Sequence, residues 1–182
     1  FMPFYPGPGV GGHCIPIDPL YLTWKAREYD FHTNFIDLAA EVNESMPYHV
    51  TNKVIHIIAN QPISLAESRV LVIGATFKKN VKDMRHSPAE PIIRNLTEAG
   101  VGHIDVADMW VPEYEAHGRV FQCLEVTPEM LKTYHCAIIV TDHDAFDPHM
   151  IAAHSNFVVD TRNMLKDVTV GREKITLLGS SL

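Results

Sequence analysis

The sequence has few cysteines, and their arrangement excludes the usual cysteine-based scaffolds. Its 182 residues include Cys14, Cys123 and Cys136, an odd number without C-x-x-C spacing. Neither a disulfide framework nor a structural zinc site is therefore predicted. Reduced thiols of this kind are the default in the cytoplasm, which is where we expect the protein to be located.

Long apolar runs and an excess of positive charge are also missing. No apolar stretch approaches the roughly 18 residues that span a bilayer, and the first residues lack the basic start and apolar core of a secretory signal. Lys and Arg total 15 against 22 Asp and Glu, which gives a formal net charge of −7. Because no basic stripe is present, neither nucleic acid nor a membrane is an expected partner. Residue 1 is Phe, and we expect the sequence to be part of a longer chain.

Helical periodicity dominates residues 18–60. Asp18, followed by a proline, predicts a helix N-cap. A second helix is predicted from Thr33, with apolar residues at i, i+3, i+4 and i+7. Pro47 is expected to break or re-cap this helix near 45–47, and a third apolar stripe starts at Val50. Such stripes are typical of a core or a subunit interface.

Strand and helix patterns alternate after residues 60–68, which have the composition of a linker. A capping box is predicted from Ser87 and Glu90, and Thr127 and Asp147 are predicted helix caps. Strands are predicted at 69–75, 103–108, 136–142, 157–163 and 174–179, and helices at 87–100, 127–134 and 147–154.

This order predicts an α/β fold, in which a helical segment precedes a Rossmann-like, doubly wound domain with a parallel sheet. We divide the chain into a cysteine-bearing loop (1–17), a helical central or dimerisation segment (18–66) and the sheet domain (67–182).

The stretch GPGVGGHC contains a glycine pattern that resembles a dinucleotide-binding loop. Gly7, Gly9 and Gly12 have G-x-G-x-x-G spacing. That loop requires a strand before it and a helix directly after it, and prolines such as Pro6 and Pro16 exclude both. The glycines instead favour close approach of backbone amides to a ligand. A plain surface turn is the alternative.

Three segments resemble the UDP-glucose/GDP-mannose dehydrogenase family. FYPGPGVGGHCIPIDPLYL (4–22) is similar to its catalytic-cysteine segment, in the form of the branch that oxidises UDP-N-acetylhexosamines. GATFKKNVKDMRHSP (74–88) resembles the start of its nucleotide-binding C-terminal domain, and VVDTRN (158–163) its Asp-x-Arg. The resemblance covers the whole chain. It implies a four-electron oxidation of a sugar C6 alcohol to a carboxylate, with NAD as cofactor.

By this resemblance, Cys14 is the nucleophile that captures the aldehyde as a thiohemiacetal and then carries a thioester. A buried, inert thiol is the alternative, and the flanking glycines and prolines disfavour it; Cys123 and Cys136 are interpreted as inert. Asp18 corresponds to the acidic residue that helps to activate water or the thiol, although it also suits a helix cap. The role of His13 is open between tuning the thiol, shaping substrate specificity and packing.

The resemblance also assigns binding residues. Arg85 matches the arginine that reaches NAD, and Lys79 is interpreted as a solvated residue. Gly74 alone does not make a dinucleotide loop, but a strand end followed by lysines suits one end of a nucleotide diphosphate. The residues implied to bind the UDP-sugar are Tyr5, Pro6, Gly7, Pro8, Gly9, Val10, Gly11, Phe77, Lys78 and Arg162.

No metal is predicted at His143, which lies between Asp142 and Asp144; loop solvation and capping by Asp147 explain that segment.

The implied partners are a UDP-sugar, an N-terminal NAD-binding domain of the same longer chain and a second copy that packs on the helices of 18–60. The chain alone is expected to be inactive. A non-catalytic UDP-sugar-binding or oligomerisation module is the alternative. Glucose, N-acetylglucosamine and mannose types are not resolved, and N-acetylated sugars are favoured. A cysteine hydrolase is disfavoured because no histidine has a recognisable partner.

Overall fold

Two helices precede a parallel sheet in the computed structural model, which describes residues 3–180. Short 3-10 turns lie at Leu65–Glu67 and Arg172–Lys174. In chain order the other elements are α1 (Asp18–Arg27), α2 (Asn34–Ala59), β1 (Arg69–Ile73), α3 (Ala89–Glu98), β2 (His103–Ala107), β3 (Glu113–Ala116), β4 (Arg119–Gln122), α4 (Pro128–Leu131), β5 (Cys136–Ile139), α5 (Pro148–His154), β6 (Val158–Asp160) and β7 (Ile175–Leu177).

The main sheet has five parallel strands in the order β2-β1-β5-β6-β7. The interior strand β1 is buried on both faces. Val70 and Val72 pack with α2, α3 and the β3–β4 hairpin, whereas Leu71 and Ile73 pack with α4 and α5. Each fully buried aliphatic side chain contributes roughly 1.5–3 kcal/mol. Helices cover both faces of a parallel sheet, which confirms the predicted α/β, doubly wound fold.

Helix α2 runs through Pro47, so the break predicted near 45–47 is wrong. Proline inside a helix costs about 3 kcal/mol, because it removes one backbone hydrogen bond and crowds the preceding turn. Burial offsets this cost: Pro47 is itself buried, and Val50, Val54, Ile57 and Ile58 on the following turns belong to the core of the sheet domain. One helix therefore joins the predicted central segment to the sheet. The division at residues 17 and 66 stays a prediction.

The predicted helix ends are confirmed in part. Thr127 and Asp147 cap α4 and α5 through their side chains. Asp18 is instead the first helical residue of α1, and its carboxylate caps no amide among residues 3–180, so that prediction is wrong. The Ser87 hydroxyl accepts a hydrogen bond from the amide of Ala89 at 3.2 Å, but the predicted reciprocal bond from the Ser87 amide to the Glu90 carboxylate is not formed; that amide donates to the Met84 carbonyl.

Several strands are shorter than predicted, and the antiparallel β3–β4 hairpin was not predicted at all. Its alternating pattern is short, and Glu113 and Glu115 point outward from it. A four-residue strand with two exposed glutamates gives only a weak sequence signal.

The carboxyl ends of β1 and β5 form a crevice. From β1 the chain crosses to β2 on one side and later to β5 on the other, and ligands of doubly wound sheets bind at such a reversal. Gly74, with φ +93°, allows the two strand ends to approach, because a Cβ there would overlap Thr141. Only glycine readily adopts this backbone conformation.

Candidate functional site

The glycine loop packs across the segment that follows β1. The Gly12 amide donates a hydrogen bond to the Arg85 carbonyl at 2.9 Å. A Cβ at Gly11 would overlap the Phe77 side chain, and Gly12, at φ +83°, lies against the same ring. Glycine at these positions allows the loop backbone to approach Phe77 closely, and the loop packs against the Phe77 ring.

The same loop reaches Arg162, which follows β6. A side chain at Gly7 would overlap the Arg162 guanidinium. The Nε of Arg162 donates to the Val140 carbonyl at 2.8 Å, and its amide donates to the Asp160 carboxylate at 3.0 Å. The three segments that carry the sequence motifs therefore converge at one crevice, although they are far apart along the chain.

Arg162 is a half-buried cation. Burial lowers its pKa, and the charge of Asp142 opposes this shift. Within the described residues its guanidinium forms no ion pair. A guanidinium held at Nε and otherwise available presents its remaining N–H groups to an anion.

Arg162 faces a cleft of about 750 Å³, which we call the arginine cleft. Its lining includes Tyr5, Pro6, Lys79, Asp142, His143, Asp144, Phe146, Arg162 and Lys166. Lys79, interpreted from the sequence as merely solvated, belongs to this lining, whereas the predicted Lys78 and Phe77 do not. The lining combines three cations with three carboxylates, of Asp142, Asp144 and Asp160, and with two aromatic side chains, of Tyr5 and Phe146.

A second, more apolar groove of about 990 Å³ lies between the glycine loop and the helices. Gly9 and Val10 line it from the loop, so the predicted substrate residues are divided between the two clefts. Helices α1 and α2 also expose large apolar side chains, among them Trp24, Phe35 and Leu38. An extensive exposed apolar face is typical of an interface.

Cys14 is exposed at the end of the glycine loop. Its carbonyl accepts a hydrogen bond from the Asp18 amide at 2.8 Å, which forms a single turn between the two residues. The thiol sulfur lies 3.8 Å from each ring nitrogen of His13. Cys14 and Asp18 are both exposed, at the two ends of this turn.

Arg85 pairs with Asp83 beside the cysteine loop. The Arg85 Nε lies 3.0 Å from Asp83 Oδ1, and Nη2 lies 2.6 Å from Oδ2. Hydrogen bonds from Arg85 lower the pKa of Asp83 to about 2. The same pairing raises the pKa of Arg85, to which the charge of a Cys14 thiolate adds. Arg85 is thus close to Cys14, and one edge of its guanidinium is occupied.

His143 is completely buried, which corrects its interpretation as part of a solvated loop. Its Nε2 lies 3.2 Å from Asp108 Oδ2, and the Asn80 amide donates to its Nδ1 at 3.0 Å. Burial opposes ionisation of Asp108, but hydrogen bonds from His143 and from backbone amides prevail and lower its pKa. Sequence patterns gave no signal for this contact, because Asp108 lies 35 residues away.

Within residues 3–180, no group of three or more His, Cys, Asp or Glu side chains is arranged to hold a metal ion. In the same part of the chain, no helix is long and apolar enough to cross a membrane.

The three thiols are expected to differ sharply in reactivity. Burial, with smaller contributions from Asp108 and Glu113, raises the pKa of Cys123 to about 12, and burial raises that of Cys136 to about 12. Iodoacetamide at about pH 8 should therefore alkylate Cys14 alone, because the thiolate is the reactive form. Mass spectrometry of tryptic peptides measures this, and the guanidinium-unfolded chain, in which all three should react, is the control. Labelled Cys123 with unmodified Cys14 would contradict it.

Two family models match the chain. The UDP binding domain of the UDP-glucose/GDP-mannose dehydrogenase family matches residues 71–167, and the central domain of that family matches residues 1–45. The first match covers the sheet except β7, together with the segments that carry Phe77 and Arg162, and the second covers the loop with Cys14.

Similar proteins carry related names. A UDP-N-acetyl-D-glucosamine 6-dehydrogenase from Pseudomonas aeruginosa is 34% identical over 100% of this chain and 37% of its own length. A UDP-N-acetyl-D-mannosamine dehydrogenase from Methanococcus vannielii is 33% identical over 96% of this chain and 40% of its own. The chain thus spans about two fifths of the length of the curated relatives it matches.

Solved structures share the fold. The UDP-N-acetyl-mannosamine dehydrogenase Cap5O from Staphylococcus aureus has a TM-score of 0.70 at 26% identity, over 98% of this chain and 40% of its own. A UDP-D-ManNAc dehydrogenase from Pyrococcus horikoshii has a TM-score of 0.78 at 24% identity, over 97% of this chain and 40% of its own. These matches confirm the family resemblance found in the sequence: the chain belongs to the UDP-glucose/GDP-mannose dehydrogenase family.

Proposed function

We propose that this chain is the cysteine-bearing and UDP-sugar-binding part of an NAD-dependent nucleotide-sugar 6-dehydrogenase. The observation that carries the proposal is the convergence of the Cys14 loop, the Phe77 segment and Arg162 at one crevice of a doubly wound sheet. The relatives are named for N-acetylglucosamine and N-acetylmannosamine, so the proposed substrate is a UDP-N-acetylhexosamine.

The arginine cleft suits the nucleotide end of such a substrate. Lys79, Arg162 and Lys166 supply positive charge for a diphosphate, and a guanidinium forms paired hydrogen bonds to phosphate oxygens. Tyr5 and Phe146 offer aromatic surface to a base or sugar. The Gly7–Gly12 backbone, in which only Pro8 and Val10 carry side chains, passes from this cleft toward Cys14.

Cys14 supplies covalent chemistry in this proposal. Its thiolate attacks the carbon of the intermediate aldehyde, a C–S bond forms, and the carbonyl oxygen takes a proton to give a thiohemiacetal. Covalent attachment prevents the aldehyde from escaping. After oxidation the same sulfur is the leaving group of a thioester, and water attacks that carbon to release the uronate. Asp18, one turn from Cys14, orients this water.

NAD+, when bound, supplies the hydride acceptor for both oxidations. Within the described residues Arg85 fits it only as a peripheral contact, because Asp83 occupies one edge of the guanidinium and the other edge is exposed. The segment after β1 has one glycine and runs through residues 74–88 before α3, so it does not form a dinucleotide cradle. We therefore place the cradle in an N-terminal domain of the same longer chain.

The exposed apolar face of α1 and α2 favours a further role in assembly. We propose that it packs against a second copy in a homodimer. A non-catalytic binding or oligomerisation module shares this feature, and the chemistry of Cys14 separates the two functions.

Calorimetry on the 182-residue chain tests the binding proposal. The chain should bind UDP about 100-fold more tightly than uridine, because the diphosphate adds charge-assisted hydrogen bonds. The same chain mixed with UDP-N-acetylglucosamine and NAD+ should produce no NADH. Equal affinities for UDP and uridine would contradict the assigned cleft, and robust NADH formation would contradict the need for an N-terminal domain.

A further inference from the structure

A buried histidine joins the two loops that form one side of the arginine cleft. His143 follows β5, and its ring contacts Thr76 and Asn80, which bracket Lys79 in the loop after β1. Asn80 continues this junction: its side chain donates to the Asp144 carboxylate at 2.6 Å and accepts from the Asp144 amide at 3.1 Å. The loop is therefore held at both of its ends.

The hydrogen bonds define the tautomer of His143. A backbone amide can only donate, so Nδ1, which accepts from Asn80, carries no proton. The proton is then on Nε2, which lies 3.2 Å from Asp108 Oδ2 and 2.9 Å from Thr76 Oγ1, both able to accept. The ring thus connects two loops through opposite edges, one as acceptor and one as donor.

Lys79 is the residue that this arrangement places. Its Nζ lies 2.5 Å from Asp144 Oδ1 and 4.0 Å from Asp142 Oδ2, at the lining of the arginine cleft. Exposed ion pairs of this kind are weak by themselves. The position of Lys79 therefore depends on the anchored backbone at Thr76 and Asn80 rather than on its own ion pairs.

We propose that His143, as the Nε2–H tautomer, is a positioning residue for nucleotide binding that holds Lys79 in the arginine cleft for contact with the substrate diphosphate. This inference rests on the proposed function, because it takes the cleft to be the nucleotide site. Neither His143 nor Lys79 is among the binding residues that the sequence motifs indicate.

Two variants separate the edges of the ring. In His143→Gln the amide nitrogen can replace the Nε2 donor, but the acceptor for the Asn80 amide is lost. In His143→Asn the side-chain oxygen can replace Nδ1, but the donor to Asp108 is lost. We expect UDP affinity to fall about 10-fold in His143→Gln, because the Asn80 end of the Lys79 loop loses its anchor. In His143→Asn the fall should be only about 2-fold, because Thr76 is still held by the hydrogen bond from its amide to Asp108 at 3.2 Å. Uridine affinity should be unchanged in both.

Calorimetry with UDP and with uridine measures the difference in affinity between the two variants. His32→Gln, at an exposed histidine, is the matched control. Thermal melts establish that each variant is folded. A loss that is equal in both His143 variants, or equal for UDP and uridine, would show a purely structural role and overturn the proposal. Wild-type UDP affinity in folded His143→Gln would overturn it as well.

Nuclear magnetic resonance on the ligand-free chain keeps the test independent of the proposed function. Nitrogen-15 shifts should show His143 protonated at Nε2 and not at Nδ1, and a proton on Nδ1 would overturn the inference. Amide signals of residues 76–80 should shift in His143→Gln but not in His32→Gln. If the wild-type chain fails to bind UDP, the proposed function fails, while unmoved 76–80 signals count against His143 alone.

Discussion

Replacing Cys14 by serine should reduce uronate formation in the proposed dehydrogenase by more than about 10³-fold, because a hydroxyl near neutral pH is a far weaker nucleophile than a thiolate. The substitution changes one atom on an exposed loop end, so the backbone bond between Gly12 and Arg85 should persist. UDP affinity should therefore change by less than about 2-fold, since the arginine cleft does not include residue 14. The rate is measured as uronate formed from UDP-N-acetylglucosamine, by chromatography, in the protein that includes its NAD-binding domain.

Cys123→Ser is the matched control for this substitution. Cys123 is half-buried after β4, and its thiol is held protonated by burial, so it takes no part in the proposed chemistry. It should retain the wild-type rate. Full activity in Cys14→Ser would exclude the covalent route. A wild-type chain that binds UDP but whose Cys14 is unreactive would favour the non-catalytic module.

The second large effect is expected at Arg162. Arg162→Gln should weaken UDP binding by about 10- to 100-fold, because one charge-assisted contact to phosphate contributes roughly 1.5–3 kcal/mol. Uridine, which has no phosphate, should lose little affinity. Calorimetry with both ligands separates a lost phosphate contact from a general disturbance of the cleft.

Two further arginine variants sharpen this result. Arg162→Lys keeps the charge but loses the planar group and the Nε bond to the Val140 carbonyl, so an intermediate loss is expected. Arg119→Gln, on the β3–β4 hairpin, removes a positive charge outside the arginine cleft and should leave UDP affinity unchanged. If Arg119→Gln weakens UDP as strongly as Arg162→Gln, net charge rather than a specific contact explains the effect.

The fold was largely predictable because its main signals are local. The apolar run of β1 has the pattern of a strand buried on both faces, and Thr127 and Asp147 begin helices through contacts within a few residues. Pro47 shows the limit of local rules. Its cost is fixed by the backbone, whereas the burial that offsets it comes from strands distant in sequence.

The candidate site was predictable only where a motif resembled a family. The motifs led to Cys14 and Arg162, and the structure places their segments at one crevice. His143 lies outside every motif, and Lys79 lies within the 74–88 motif but is interpreted from the sequence as solvated. The contact of His143 with Asp108, and the placement of Lys79 by Thr76 and Asn80, exist only after β1, β2 and β5 have assembled side by side.

The hydrogen bond between Gly12 and Arg85 has a kinetic consequence. It closes a long loop of chain that includes both α1 and α2, and such closure is entropically unfavourable until the sheet that carries Arg85 has formed. The Cys14 loop should accordingly dock late in folding and undock at far lower cost than global unfolding. A ligand that spans the loop and Arg162 would suppress this undocking, so Cys14, the proposed nucleophile, would become ordered when a substrate is bound.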